Sequence, residues 1–267
     1  MPSAPIVLIK SAADIGSAVA HTLKQAGMNP VLLESAEPGV TRRLMAFAAA
    51  VFSGKSEMAG LRAVRCASEQ EARACWAHPD EIPLLVGDLD APPPFPVDVM
   101  VDARMRKKLS PPSQITLAPL VIGLGPGFEA GVNVHVVIET NWGEHLGHVI
   151  TQGRAEAYTG RHRDVRGYSS QRYIYAPAAG VFHTELDILT PVSTGQAVGH
   201  VDDIPLYAEV AGLLRGLAYP GRRVAQGAKL VEVDPTADPD NCRGIGVRQQ
   251  RIAQGVLEAI QSSQVQP

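Results

Sequence analysis

The chain has 267 residues, a hydrophobic content of 45% and a formal net charge of −3, so it lacks the basic footprint of a nucleic-acid binder. No apolar run approaches the ~18 residues that would span a membrane, and the N-terminal MPSAPIVLIKSAAD is too short and too weakly basic for a signal peptide. Cys66, Cys75 and Cys242 form no CxxC pair, so no disulfide framework or zinc ribbon is suggested, and a reducing, cytoplasmic setting is expected.

Ile6 to Ile9 reads as a strand. A helix capped by Asp14 then runs to about Gln25 and closes at Gly27, and a second strand, Val31 to Leu33, ends at Glu34. This is a β–α–β unit, the signature of a parallel α/β sheet. Thr41 to Phe52 is predicted helical, and Leu61 to Arg65 is a short strand. Ser68 and Glu71 form a capping box ahead of the next helix. Strands follow at Ile82 to Val86 and Val97 to Val101, separated by the stiff connector APPPFP (91–96). Near the C-terminus, Ile252, Val256 and Ile260 make one stripe of an amphipathic helix over 248–260. The final QSSQVQP is expected to fray.

The stretch LVIGLGPGFEAGVNVHVVIET (120–140) carries the densest signal. An apolar run stops at Gly123, Gly125 and Gly127, and a second run follows, broken once by His135. Glycines let a ligand approach the main chain, and successive exposed N–H groups can form an anion nest. A tight strand-to-strand connection needs the same glycines, so both readings stay open. No Lys-Ser/Thr follows, so this is no Walker motif.

At the first βα turn, Lys10 to Gly16, a dinucleotide fold wants G-x-G-x-x-G, and only Gly16 is present, although Glu34 stands where a ribose-binding acid would. Asp102 and Arg104 follow a strand directly, where open α/β sheets bind ligands. They read either as a ligand-polarising pair or as a structural ion pair beside the basic run of Arg106, Lys107 and Lys108. His135, His145 and His148 cluster with Glu139 and Glu144, but their spacing does not converge on one metal. His135 is a candidate general base or a hydrogen-bonded core histidine. Cys66 and Cys75 read as core residues, and Cys242 as a loop thiol beside Arg243.

The C-terminal part repeats at an offset of 32 residues: APAAGVF (176–182) aligns with AEVAGLL (208–214), Val192 with Val224, Gly195 with Gly227, and Asp202 with Asp234. Each half looks like half of a biotinyl/lipoyl-type barrel-sandwich hybrid. The hairpin between the halves, Val201 to Pro205, has no lysine, so biotin or lipoate attachment is excluded.

The order of segments resembles the YqeB-type proteins, accessory proteins of selenium-dependent molybdenum hydroxylases. The matching stretches are VDVMVDARMRKK (97–108), APLVIGLGPGFEAGVNVHVVIET (118–140), GEHLGHVI (143–150) with YTG (158–160), APAAGVF (176–182), KLVEVDP…DPDNC (229–242) and RIAQGVLEAI (251–260). At the first turn the family pattern resembles RGGGDLATG. Here Asp14 is kept and the glycines are lost.

The expected architecture is a Rossmann-like α/β domain (1–118), a Gly-rich central segment (119–170), an all-β, lysine-free barrel-sandwich module (171–238), and a C-terminal loop and helix (239–267). The resemblance implies an accessory role in molybdenum hydroxylase maturation, with that hydroxylase or its maturation machinery as partner. A molybdopterin-type cofactor or other phosphorylated ligand would bind near Gly123, Gly125, Gly127 and Asp14, with Asp102, Arg104 and His135 nearby. Two alternatives stand beside it: an enzyme acting on a small anionic substrate with a His or Asp general base, and a non-catalytic docking protein.

Overall fold

The computed structural model describes residues 4–106 and 111–263. Lys107 and Lys108 of the basic run, and residues 264–267 of the expected frayed end, lie outside the described residues. The chain forms two compact units. Unit 1 comprises residues 1–38, 46–159 and 245–267, and unit 2 comprises residues 39–45 and 160–244.

Unit 1 contains β1 (Ile6–Lys10), α1 (Asp14–Gln25), β2 (Asn29–Glu34), α2 (Ala50–Ser53), β3 (Lys55–Met58), β4 (Leu61–Cys66), α3 (Glu69–Trp76), β5 (Glu81–Val86), β6 (Val99–Asp102), β7 (Leu120–Leu124), β8 (Glu129–Ala130), β9 (Val136–Ile138), β10 (Val149–Ile150), β11 (Gly153–Arg154) and α4 (Val247–Ser262). One sheet runs β10-β9-β7-β6-β1-β2-β5-β4-β3. Its strands from β4 across to β9 are parallel, and β3 and β10 close the two edges antiparallel. The β3 edge follows from a two-residue turn, Ala59-Gly60, with φ of 51° and 81°, the twist that a tight hairpin requires. Val7 to Ile9, Val31 to Leu33 and Val99 to Val101 are fully or almost fully buried, because layers cover both faces of a parallel sheet. On one side α1 packs against α4, whose stripe of Ile252, Val256 and Ile260 is buried as its spacing predicts. On the other side Leu8, Met100 and Val121 share a core with Phe95, Phe128, Cys66 and Cys75.

Several local predictions appear as read. The first helix spans Asp14–Gln25 with Gly27 at φ 79° behind it, but its N-cap is Ala13, without a side-chain cap bond, rather than Asp14, which is the first helical residue. The Ser68 hydroxyl accepts from the Glu71 N–H at 3.2 Å, and the Glu71 carboxylate accepts from the Ala67 N–H at 2.9 Å. The helix predicted over 41–52 shrinks to a short turn at Arg43–Met45 and to α2, because residues 39–45 pack into unit 2 and residues from 46 onward into unit 1.

Unit 2 contains β12 (Tyr173–Tyr175), β13 (Gly180–His183), β14 (Pro191–Val192), β15 (Ala197–Val201), β16 (Ile204–Tyr207), β17 (Gly212–Leu217), β18 (Arg222–Val224) and β19 (Lys229–Asp234). They form two antiparallel sheets, β12-β19-β17-β14 and β16-β15-β13-β18, around a core that includes Phe182, Val198, Leu214, Leu217 and Val231.

The expected fold class therefore needs correction. The first sheet is a nine-stranded mixed sheet that continues through β7, β9 and β10, past residue 118, rather than a parallel Rossmann-like sheet. A biotinyl/lipoyl-type barrel-sandwich hybrid is not supported: the C-terminal strands form two separate small antiparallel sheets, and no ladder among the described residues joins them. The 32-residue repeat reports strand spacing, and spacing alone does not determine which strands pair.

Candidate functional site

Ligands of open α/β sheets sit beyond the carboxyl ends of the strands. In unit 1 that crest is largely satisfied by the chain itself. The Glu34 carboxylate is buried and accepts from the Ala12 N–H at 2.7 Å, the Ser11 hydroxyl at 3.2 Å and the Ser35 N–H at 2.8 Å. The turn after β1, which in a dinucleotide fold offers its N–H groups to a pyrophosphate, thus holds an internal carboxylate. Asp14 accepts from the Ile15 N–H at 3.1 Å and from Gln249 Nε2 at 2.6 Å, which ties α1 to α4.

Between β1 and β6, where the strand order reverses, Asp102 is fully buried. It accepts from Arg104 Nε at 2.9 Å, from Arg104 Nη2 and from Gln114 Nε2 at 2.9 Å. Burial opposes its charge, but these bonds and the Arg104 guanidinium hold its carboxyl below the usual range. Arg104 Nη1 also donates to the Leu89 carbonyl at 2.8 Å and to Asp90 at 2.7 Å, and Lys10 Nζ donates to the Ala91 carbonyl at 2.9 Å. The connector after β5 is thereby fastened over the point where the strand order reverses. Burial, and then the Arg104 charge, lower the Lys10 pKa.

Gly123 lies inside β7, where a Cβ would stand 2.3 Å from the Phe128 ring. Gly125 has φ 81°, its N–H donates to the Ile138 carbonyl at 2.9 Å, and a Cβ there would meet Thr140 Oγ1 at 2.4 Å. The Gly127 carbonyl accepts from Asn133 Nδ2 at 3.1 Å. His135 Nδ1 accepts from the Val121 N–H at 2.9 Å, so a neutral ring carries its proton on Nε2. His135 stands level with Val121, whereas Asp102 is level with Gly123 one strand over from β7. The two are thus separated by two strand spacings and about two residues, roughly 12 Å. His145 and His148 are exposed and approach through their Nδ1 atoms at 3.3 Å. Among the described residues no group of three or more His, Cys, Asp or Glu could hold a metal.

A cleft of about 440 Å³ sits at the carboxyl ends of β2, β5 and β4, lined by Leu33, Cys66, Ser68, Asp88, Pro92 and Phe95 among others. Cys66 is 5% exposed, two residues ahead of Ser68, the N-cap of α3. Its Sγ donates to the Val64 carbonyl at 3.4 Å. A hydrogen bond with the Cys75 thiol on α3 outweighs burial and holds Cys66 below the ordinary thiol pKa, while the Cys75 thiol is pushed up. The start of a helix favours a thiolate in the same sense. Cys242, by contrast, is pushed up to about 11 by burial and the Asp234 charge.

The sequence comparison enters at this point. The chain resembles YqeB. It is 35% identical over 259 residues to the uncharacterized protein YqeB of Escherichia coli (strain K12), covering 96% of this chain and 47% of that protein. The chain thus spans about half the length of the curated relative it matches. The similarity supports the YqeB-type resemblance and attaches no reaction to it. No family model matches the chain. Among solved structures, the product-bound ectoine utilization protein EutE (DoeB) from Ruegeria pomeroyi aligns at TM-score 0.25 and 12% identity, covering 86% of this chain and 85% of that one. A succinylglutamate desuccinylase from Silicibacter sp. TM1040 aligns at TM-score 0.26 and 12% identity, covering 87% and 85%. At those TM-scores neither likeness is evidence of a shared fold. No helix among the described residues is long and apolar enough to cross a membrane.

Cys66 is the residue that sequence reading passed over. A cysteine in an apolar strand reads as core, and Cys66 does pack in the core while also lining the cleft. The available signal was its place at the end of a strand, just ahead of a capped helix.

Proposed function

We propose that the chain is an enzyme for a small anionic substrate, which binds in the cleft beyond β2, β5 and β4 and reacts with Cys66 as nucleophile. The observation that carries this reading is a thiol that lines a cleft at the carboxyl ends of parallel strands, two residues ahead of the N-cap of α3. Arg65 lines the same cleft and would pair with an anionic group. Asp88 and Glu69 line the cleft as proton acceptors. Screening small carboxylates and phosphates by thermal shift should find a ligand that raises Tm in wild type and in Cys66→Ser alike, with turnover lost only in the variant. Turnover that survives Cys66→Ser, or a panel without a single Tm shift, would remove the proposal.

A second reading is an accessory role in molybdenum hydroxylase maturation, with a phosphorylated cofactor or precursor near Gly123, Gly125 and Gly127. Its support is the resemblance along nearly the whole chain and the identity with YqeB. Normal hydroxylase activity in a strain lacking this gene would end it.

A further inference from the structure

Two exposed imidazoles meet on a turn of unit 1 that the proposed function does not use. His145 and His148 bracket Leu146-Gly147, directly ahead of β10. The His148 N–H donates to the His145 carbonyl at 2.9 Å, which closes a β-turn, and Gly147 takes its third position with φ 89°. Residues three apart share a face on a helix, and here a turn brings them together instead. The turn is firmly held. The Gly147 N–H donates to the Glu139 carbonyl at 2.9 Å, and the Glu139 N–H donates to the His148 carbonyl at 3.0 Å. Leu146 between the two histidines is buried. Gly147 lies so close to α4 that a Cβ there would stand 2.5 Å from the Arg251 carbonyl oxygen. Both rings reach solvent from this fixed base.

The ring geometry carries the inference. The two Nδ1 atoms face each other at 3.3 Å, with the ring planes 56° apart. A tetrahedral zinc ion with Zn–N bonds of about 2.0–2.1 Å holds two ligand nitrogens roughly 3.3–3.4 Å apart. The pair thus has the spacing of two ligands on one ion. A neutral imidazole with its proton on Nε2 leaves Nδ1 free to ligate. A second pair, His183 and His200, lacks this convergence. Those rings stack at 5.0 Å and 20°, so their in-plane lone pairs run side by side, and the His200 Nδ1 turns to the Asp202 carbonyl. We propose that His145 and His148 form a two-imidazole site for a divalent cation of the zinc class, bound through their Nδ1 atoms. Imidazole donors select zinc, copper or nickel over magnesium. Among the described residues no third His, Cys, Asp or Glu completes a group with them, so the other positions on the ion go to water. The site lies at the β10 edge of the sheet, with four strands between β10 and β2, and does not depend on the Cys66 cleft.

Calorimetric titration of the metal-free, untagged full chain with Zn²⁺ tests this, with Mg²⁺ as the control cation. Saturable zinc binding is expected, and an equal concentration of Mg²⁺ should leave it unchanged. His145→Ala and His148→Ala should each weaken it by about tenfold or more, the lower end of what even the hydrogen-bond partners of metal ligands contribute. His200→Ala should bind zinc as wild type does. All three side chains are exposed, and circular dichroism checks that each variant keeps the fold. No saturable zinc binding at millimolar concentration, or equal affinity in wild type, His145→Ala and His148→Ala, would overturn the proposal. Binding that His200→Ala removes and His145→Ala leaves intact would overturn it as well, by moving the ion to the other pair.

Discussion

Glu232→Ala is expected to cost unit 2 about 3–5 kcal/mol, the range measured when one partner of a buried ion pair is removed. The side chain has no exposure and is the shared counter-ion of Arg42, Arg172, Arg215 and Lys229. Without it, four cations repel one another around a cavity, and the two-pronged bond from Arg42 has no acceptor. Glu232→Gln keeps the volume and part of the hydrogen bonding but not the charge, so it should be less damaging. The pH dependence follows from the same contacts. Burial opposes the carboxylate, yet the surrounding cations, Arg42 first, hold its pKa far below the ordinary value of about 4.3. A depressed folded pKa contributes stability that is complete above the unfolded value and is lost as pH falls toward the folded one. Wild type should therefore lose this contribution progressively as pH falls below about 4.3, and Glu232→Gln should show no such loss. Urea unfolding followed by circular dichroism across that pH range measures both effects.

The second large effect is expected at Asp102. Asp102→Ala should destabilise unit 1 by about 2–4 kcal/mol, because it strips acceptors from a nearly buried guanidinium and from the buried Gln114 amide at once. Arg104 retains Asp90 and the Leu89 carbonyl, which keeps the loss below the full cost of an abandoned buried charge. Asp102→Asn should cost less, since the amide oxygen still accepts. Asp102 also titrates low, so its contribution is present above an unfolded value of about 3.9 and fades as pH falls below it. Chemical denaturation followed by tryptophan fluorescence, using Trp76 on α3 and Trp142, reads the change in unit 1. A loss within about 0.5 kcal/mol, typical of a surface position, would show that the pair is not structural.

Local features were legible because local rules decide them. The β1–α1–β2 unit, the Ser68 capping box and the buried stripe of α4 each depend on residues a few positions apart. The repeat was legible as spacing: β13 and β17 stand 32 residues apart, as do β15 and β19. Its three-dimensional meaning was not, because each sheet takes two strands from each half, an interleaving that no offset reveals. The three glycines of 123–127 stood out, and the structure gives Gly123 and Gly125 packing tasks against Phe128 and Thr140. The Glu232 cluster was invisible for a different reason. Arg42 and Glu232 are 190 positions apart, and nothing in either neighbourhood announces the other. Cys66 was hidden because a thiol that lines a cleft and also packs in a core has the sequence surroundings of a core residue.

The reactivity of the native thiols tests the Cys66 proposal most directly. Alkylation by iodoacetamide, followed peptide by peptide with mass spectrometry across pH, separates Cys66, Cys75 and Cys242. Cys66 should react first, with a rate that levels off below the ordinary thiol pKa of about 8.5, while Cys242, pushed up to about 11, lags throughout. A Cys66 that reacts no faster than Cys242 in the folded protein, or whose rate still climbs above that ordinary value, would contradict a nucleophile in the cleft.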